Sequence, residues 1–270
     1  MYRLIASDMD DTLLSPAGTL EPRTFRALKR AMDAGVFLVL ASGRMLESVL
    51  PFARELSVNA PIIAYNGAMV YDLAHGRVLN SAAIPMETAR GICRMAEENG
   101  IYIQAYPGEG YVAEARRPYT KLYEDSIKVE CGITGVKLSE WIATDQIKLL
   151  VIGEKEDTLK HIEMFQQAFP GVTFMMSRPN YIEIVAGDVD KRWALEQAIR
   201  ALGVSREEVL AFGDGQNDIS MLNFAHLGYC MENATPGVRA QCKNFAPSNA
   251  QEGCAIIIER MLDSGQLGGA

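Results

Sequence analysis

Asp8, Asp10 and Asp11 place three carboxylates within four residues, directly after the apolar run Leu4-Ile5-Ala6. A run of that length closed by a turn signal reads as a buried strand. Asp8 then sits at the carboxyl end of the strand, where open α/β sheets hold their ligands. Carboxylates crowded there repel one another unless a hard cation lies among them. Mg²⁺ suits such a place, because it takes one or two carboxylates together with phosphate oxygens and water. Taken alone, these residues also fit an acidic turn with no ligand. A calcium loop fits poorly: counted from Asp8, its sixth position is Leu13 rather than Gly and its twelfth Thr19 rather than Glu.

A second acidic group follows another apolar run far along the chain. Val209-Leu210-Ala211-Phe212 delivers Gly213-Asp214-Gly215-Gln216-Asn217-Asp218. As a dinucleotide fingerprint this fails, since the sixth position of G-x-G-x-x-G is Asp218. A glycine-bearing strand-to-helix turn is the plain alternative. Together with the first group it brings four acids, Asp8, Asp10, Asp214 and Asp218, to one end of one sheet. Lys191 could supply positive charge to an anionic ligand, and Ser42 could donate a hydrogen bond to a phosphate oxygen. A solvated lysine and a helix-capping serine are the alternatives for these two. The chain has no G-x-x-x-x-G-K-[ST], G-x-S-x-G or H-E-x-x-H, and His75, His161 and His226 are isolated.

These residues need a frame. Pro22 to Ala34 reads as a helix, Val36 to Ala41 as a strand ending in Ser42-Gly43-Arg44, and a helix from Met45 should kink or restart at Pro51. Pro61 to Tyr65 reads as a third strand, closed by Asn66-Gly67. Strand, helix, strand, helix, strand is the pattern of a parallel sheet with right-handed crossovers. Met69 to Leu73 and Arg77 to Ala83 then predict a hairpin. Beyond Ile84-Pro85 the pattern becomes paired strands between single helices, an α+β arrangement with helices on one face. The alternating α/β pattern returns at Asp188. The expected architecture is α/β: a Rossmann-like doubly wound parallel-sheet core of residues 1–82 and 187–270, with residues 83–186 inserted as an α+β cap. The glycine-rich tail, Gly265 to Ala270, is expected to fray.

Composition bounds the rest. The 270 residues carry a formal net charge of −8, and 49% are hydrophobic, so a sizeable core needs no staples. No basic cluster offsets the acidity, which argues against a nucleic-acid partner. Apolar runs such as Val36 to Ala41 are too short to span a bilayer. A first strand beginning near Tyr2 leaves no room for a signal peptide. Five cysteines, Cys93, Cys131, Cys230, Cys242 and Cys254, lack C-x-x-C spacing and read as reduced thiols of a cytoplasmic protein.

On these motifs the chain resembles the haloacid dehalogenase superfamily of phosphohydrolases, in particular its Cof-type branch with a large cap. Asp8-Met9-Asp10-Asp11-Thr12-Leu13-Leu14 is similar to the first motif, with Asp11 where glycine is usual. Ser42-Gly43-Arg44 resembles the second and Lys191 the third, with Arg192 where the branch usually has glycine. Gly213 to Leu222 resembles the fourth; Asn66-Gly67-Ala68 and Ser248 to Gly253 also match the branch.

The resemblance implies Asp8 as nucleophile, Asp10 as general acid and then base, and Lys191 as an aid to charge cancellation. It implies Mg²⁺ held by Asp8, the Asp10 backbone carbonyl and Asp214, with Asp218 behind them. Ser42, Gly43 and Asn217 would hold phosphate oxygens, with Arg44 and Asn66 near the substrate. The expected partner is a small phosphorylated metabolite, a sugar phosphate or a phosphorylated cofactor, acted on by a monomer or homodimer. A phosphomutase of the same fold and a non-catalytic phosphometabolite-binding regulator are the alternatives.

Overall fold

The computed structural model describes residues 1–268. In chain order the elements begin β1 (Leu4–Ser7), α1 (Pro22–Asp33), β2 (Phe37–Leu40), α2 (Leu46–Leu56), β3 (Ile62–Ala64), β4 (Met69–Asp72) and β5 (Arg77–Ser81). They continue α3 (Met86–Glu98), β6 (Ile103–Tyr106), β7 (Val112–Ala113), α4 (Pro118–Ile127), β8 (Gly132–Ile133), α5 (Leu138–Trp141), β9 (Lys148–Ile152), α6 (Thr158–Ala168), β10 (Val172–Arg178) and β11 (Tyr181–Ala186). The chain closes with α7 (Lys191–Leu202), β12 (Val209–Gly213), α8 (Ile219–Phe224), β13 (Leu227–Met231), α9 (Pro236–Arg239), β14 (Asn244–Ala246) and α10 (Gly253–Asp263).

The core sheet is parallel throughout, in the order β14-β13-β12-β1-β2. Its strands are apolar at consecutive positions because both faces are covered. Ile5, Leu38, Leu40, Leu210 and Phe212 pack on the side of α1, α2 and α10, whereas Leu4, Ala6, Val39, Val209 and Ala211 pack on the side of α7 and α8. β1 lies between β2 and β12, so the chain leaves both β1 and β12 at the same edge of the sheet.

Three sequence expectations are corrected. β3 does not extend the parallel sheet as a full strand: it meets it through one bridge, Ala41 to Ile63, and opens an antiparallel sheet β3-β4-β5. The cause is the turn Tyr65-Asn66-Gly67, all at positive φ, which folds β4 straight back along β3. α2 runs unbroken through Pro51, because Pro51 and Glu47, whose carbonyl loses its partner, are both exposed. The tail from Gly265 to Gly268 is tied down rather than frayed: Tyr2 donates to the Gln266 carbonyl at 2.8 Å, and Gly268 donates to Tyr2 at 3.0 Å. Gly269 and Ala270 lie outside the described residues.

The cap has its own sheet, β10-β11-β9-β6-β7-β8, antiparallel except for the β7–β8 pair. α3, α5 and α6 cover one face, with Ile92, Leu138 and Phe165 among the buried side chains. The other face turns to the core and packs Tyr106, Tyr111, Tyr123, Tyr181 and Ile152 against Met45, Ala64 and Tyr65. Among the described residues no helix is long and apolar enough to cross a membrane.

Candidate active site

Asp8 follows β1 directly and Asp214 follows β12, so the adjacency of these strands brings the two carboxylates together. Oxygens of Asp8, Asp214 and Asp218 lie within 4.8 Å of one another. Lys191, the first residue of α7 and fully buried, joins them: its Nζ donates to Asp218 Oδ1 at 2.6 Å and to Asp8 Oδ1. Asp218 Oδ2 accepts from the amides of Asp214 (3.0 Å) and Gly215 (2.8 Å), which leaves neither of its oxygens unengaged. Thr12 Oγ1 donates to Asp214 Oδ1 at 2.6 Å. Asp8 and Asp214 each keep one oxygen with no protein partner among the described residues.

One ammonium among three carboxylates, Asp8 and Asp218 buried and Asp214 half-buried, leaves negative charge uncompensated. Burial, then the charge of Asp218, raises Asp8 well above the usual carboxylate range, and the same two causes push Asp214 up to about 7. Burial alone would lower Lys191, but Asp218 and Asp8 outweigh it and hold the ammonium charged. Hard oxygen donors, two unengaged oxygens and a deficit of positive charge fit a divalent cation.

Asp10 lies in the turn Met9–Leu13, which closes with Leu14 donating to the Met9 carbonyl at 2.8 Å. Arg44 grips it in bidentate fashion, Nε to Oδ2 and Nη2 to Oδ1, both at 2.7 Å. Burial would raise Asp10, but the hydrogen bonds and charge of Arg44 prevail and hold it below the usual range. In this state Asp10 is ionised and an acceptor. Asp11, beside it, has φ +57°, a conformation that favours glycine and that aspartate tolerates, which accounts for a non-glycine residue here. Arg192 takes no part in the cleft; it pairs with Glu196 at 2.9 Å on the outer side of α7.

The remaining predicted residues divide into cleft wall and support. Gly43, Arg44, Asn217, Asp8, Asp10, Asp214 and Asp218 line the cleft, whereas Ser42, Asn66 and Lys191 stand behind it. The Ser42 hydroxyl accepts from the Arg44 amide at 3.1 Å, so it shapes the turn that aims Arg44. Asn66 Oδ1 accepts from Asn217 Nδ2 at 2.8 Å, while its own Nδ2 is buried without a partner. Gly43 must lack a side chain, since a Cβ there would lie 2.9 Å from Asn66 Oδ1. Gly67 is tighter still: at φ +105° its Cβ would come within 2.1 Å of the Asp190 carbonyl, at the start of the helix that carries Lys191.

Sequence reasoning missed the cap side of the cleft, made by Tyr123, Ser126, Ile127, Ser177, Arg178, Tyr181 and Glu183. Nothing local marks these residues; the topology of β10 and β11 brings them there. It also missed Thr12 as a support for Asp214, although Thr12 stands inside the first motif.

A family model for haloacid dehalogenase-like hydrolases matches residues 5–258. The chain is 30% identical over 264 residues to the pyridoxal phosphate phosphatase YbhA of Escherichia coli (strain K12), covering 95% of this chain and 97% of that protein. It is 28% identical over 242 residues to the HMP-PP phosphatase of Serratia proteamaculans (strain 568), covering 89% and 87% of the two chains. The crystal structure of a haloacid dehalogenase-like hydrolase from Bacteroides thetaiotaomicron superposes with a TM-score of 0.86 at 29% identity, over 97% of this chain and 100% of that one. The chain belongs to the haloacid dehalogenase-like hydrolase family, in its Cof-type branch. Its enzyme class is that of a phosphoric monoester hydrolase.

Proposed function

We propose that the chain is a Mg²⁺-dependent phosphatase of small phosphorylated metabolites that works through an aspartyl-phosphate on Asp8. The observation that carries this reading is the trio Asp8, Asp214 and Asp218 held around Lys191 at the carboxyl ends of β1 and β12. Residues 83–186 act as the inserted cap and residues 1–82 with 187–270 as the core. The five cysteines are unpaired, which favours a reducing, cytoplasmic setting.

An Asp8 oxygen attacks phosphorus and forms the acyl phosphate, while the bond from phosphorus to the ester oxygen breaks. Asp10 gives its proton to the departing alkoxide, then takes one from the water that attacks phosphorus and releases phosphate from Asp8. The ionised, Arg44-bound state of Asp10 suits the second half of this cycle. In the first half, Arg44 has to yield one oxygen so that Asp10 can carry its proton. Asp8, Asp214 and the Asp10 carbonyl would hold Mg²⁺, which would supply positive charge against the phosphoryl oxygens. Lys191 favours the ionised form of Asp8 and orients it, against burial and the charge of Asp218, and Asp218 holds Lys191 and the Asp214 turn in place. Gly43 and Asn217 offer donors to phosphoryl oxygens at the cleft wall, with Ser42 and Asn66 behind them. Because two relatives are named for pyridoxal phosphate and for HMP-PP, these compounds are the first substrates to try.

The test is phosphate release from p-nitrophenyl phosphate and pyridoxal 5′-phosphate with Mg²⁺, with EDTA, and in the folded Asp8→Asn protein. Turnover requires Mg²⁺ and falls by at least about a thousandfold in Asp8→Asn. Borohydride reduction of the wild-type protein during turnover should convert Asp8 to homoserine, read by mass spectrometry. Near wild-type kcat in Asp8→Asn would overturn the covalent mechanism. An isomeric phosphate ester in place of free phosphate would identify a mutase.

A further inference from the structure

We propose that Arg178 of the cap is a specificity-determining residue that selects phosphate monoesters whose leaving group carries a second anion, a carboxylate or a second phosphate. The assignment rests on the phosphatase reading and deepens it. Every other cation that faces the cleft or stands behind it is engaged: Lys191 with Asp8 and Asp218, Arg44 bidentately with Asp10, and Lys148 with Glu183 and the Gly43 carbonyl. The Arg178 guanidinium has no hydrogen bond among the described residues. It lies 4.0 Å from Asp10 Oδ1 and 5.5 Å from the centre of the Tyr181 ring, with two-fifths of its side chain exposed. It therefore offers an unfilled fork of donors, already oriented by an aromatic face, beside the residue that protonates the leaving group.

The backbone aims it there. β10 and β11 pair regularly up to Met176–Ile182, then shift register so that Arg178 faces Tyr181. In a regular strand Ser177 and Arg178 would point to opposite faces. The bulge brings both to the cleft, which is how such irregularities redirect side chains near reacting groups. Pro179-Asn180 closes the hairpin immediately afterwards, so the bulge sits at its tip. Arg178 also borders a second hollow that shares Asp10, Asp11 and Arg44 with the cleft and continues to Phe52, Lys128 and Val129. A leaving group projecting from Asp10 enters that hollow past the guanidinium. Two of the acids there are engaged, Asp125 with Lys121 at 3.1 Å and Glu47 with the Tyr65 hydroxyl at 3.3 Å. Among the described residues the Asp11 side chain has no such partner and opposes an anion on its own side. Lys128 also borders the hollow but not the cleft, whereas Arg178 borders both and lies beside Asp10, which puts an anion of the leaving group nearest Arg178.

The test uses matched esters that differ in one charge: 2-phosphoglycolate against 2-hydroxyethyl phosphate, and fructose 1,6-bisphosphate against fructose 1-phosphate. The first pair probes a carboxylate and the second a phosphate. Wild-type kcat/KM should favour the anionic member of at least one pair by about tenfold or more. Arg178→Met should erase that preference, with the neutral member changed less than twofold and p-nitrophenyl phosphate still turned over. Calorimetric binding of the same pairs to the Asp8→Asn protein, with and without Arg178→Met, gives a readout independent of turnover. Equal losses for both members would make Arg178 a ligand of the transferred phosphoryl group and overturn the assignment, as would an unchanged preference. Loss of p-nitrophenyl phosphate turnover in the wild type would instead sink the phosphatase reading.

Discussion

Lys148 and Glu183 form a buried ion pair where the cap sheet meets the core, and its disruption has a calculable outcome. Lys148 Nζ lies 2.8 Å from Glu183 Oε2, 3.0 Å from the Gly43 carbonyl and 4.5 Å from the centre of the Tyr106 ring. The approach to Oε2 lacks hydrogen-bond alignment, so charge holds the pair, while Ser177 Oγ donates to Oε1 at 2.7 Å. Lys148 is fully buried and Glu183 nearly so. Lys148→Met strands a buried carboxylate and should cost about 3–5 kcal/mol, the range for breaking one side of such a pair. The double variant Lys148→Met/Glu183→Gln removes both charges and should regain most of that loss, leaving about 1–2 kcal/mol for the missing bond to Gly43 and the ring contact. Urea denaturation followed by circular dichroism on wild type, both single variants and the double variant yields the coupling energy. A double variant whose loss equals the sum of the single losses, or a Lys148→Met loss below about 1 kcal/mol, would refute the reasoning.

Thr12→Val removes the hydroxyl that orients Asp214 and should weaken Mg²⁺ activation by about ten- to a hundredfold with the fold intact, measured as the Mg²⁺ concentration at half-maximal rate. Gly67→Ala puts a Cβ into the Asp190 carbonyl at a positive φ and should destabilise the protein by about 2 kcal/mol or more while lowering kcat through Lys191; wild-type values of both would contradict it. In metal-free protein Asp214 titrates at about 7 instead of 3.8, so the folded chain holds this proton more tightly than the unfolded chain. Stability should therefore fall as pH rises from about 4 to about 7, with Asp8 acting in the same direction, and saturating Mg²⁺ should flatten the fall. Urea midpoints between pH 5 and 8, in EDTA and in Mg²⁺, provide the check, and a flat EDTA profile would count against the crowded-carboxylate account.

How far the site can be read from the chain depends on how its residues reach it. Asp8, Asp10, Ser42 and Arg44, Asp214, Asn217 and Asp218 all follow apolar runs, and a parallel sheet places the ends of such runs along one edge, so a one-dimensional pattern becomes a place. Lys191 also opens an element, and its helix returns to the same edge. The cap wall follows no such rule. Arg178 reaches the cleft through a one-residue shift in pairing, and Glu183 through its position on an antiparallel strand that pairs with nearby Met175 on one side and with distant Leu150 on the other. Neither signal exists before the sheet is assembled. Backbone strain was equally hidden. Asp11 departs from the family pattern as a letter, yet its φ of +57° shows that the turn keeps the conformation glycine would adopt. Pro51 misled in the opposite sense, because the rule that proline breaks a helix assumes the lost carbonyl partner is buried, and here it faces outward. On the proposed mechanism the catalytic residues are thus encoded in strand ends and the proposed selectivity in sheet register, so substitutions that preserve every motif residue should still change which ester is hydrolysed.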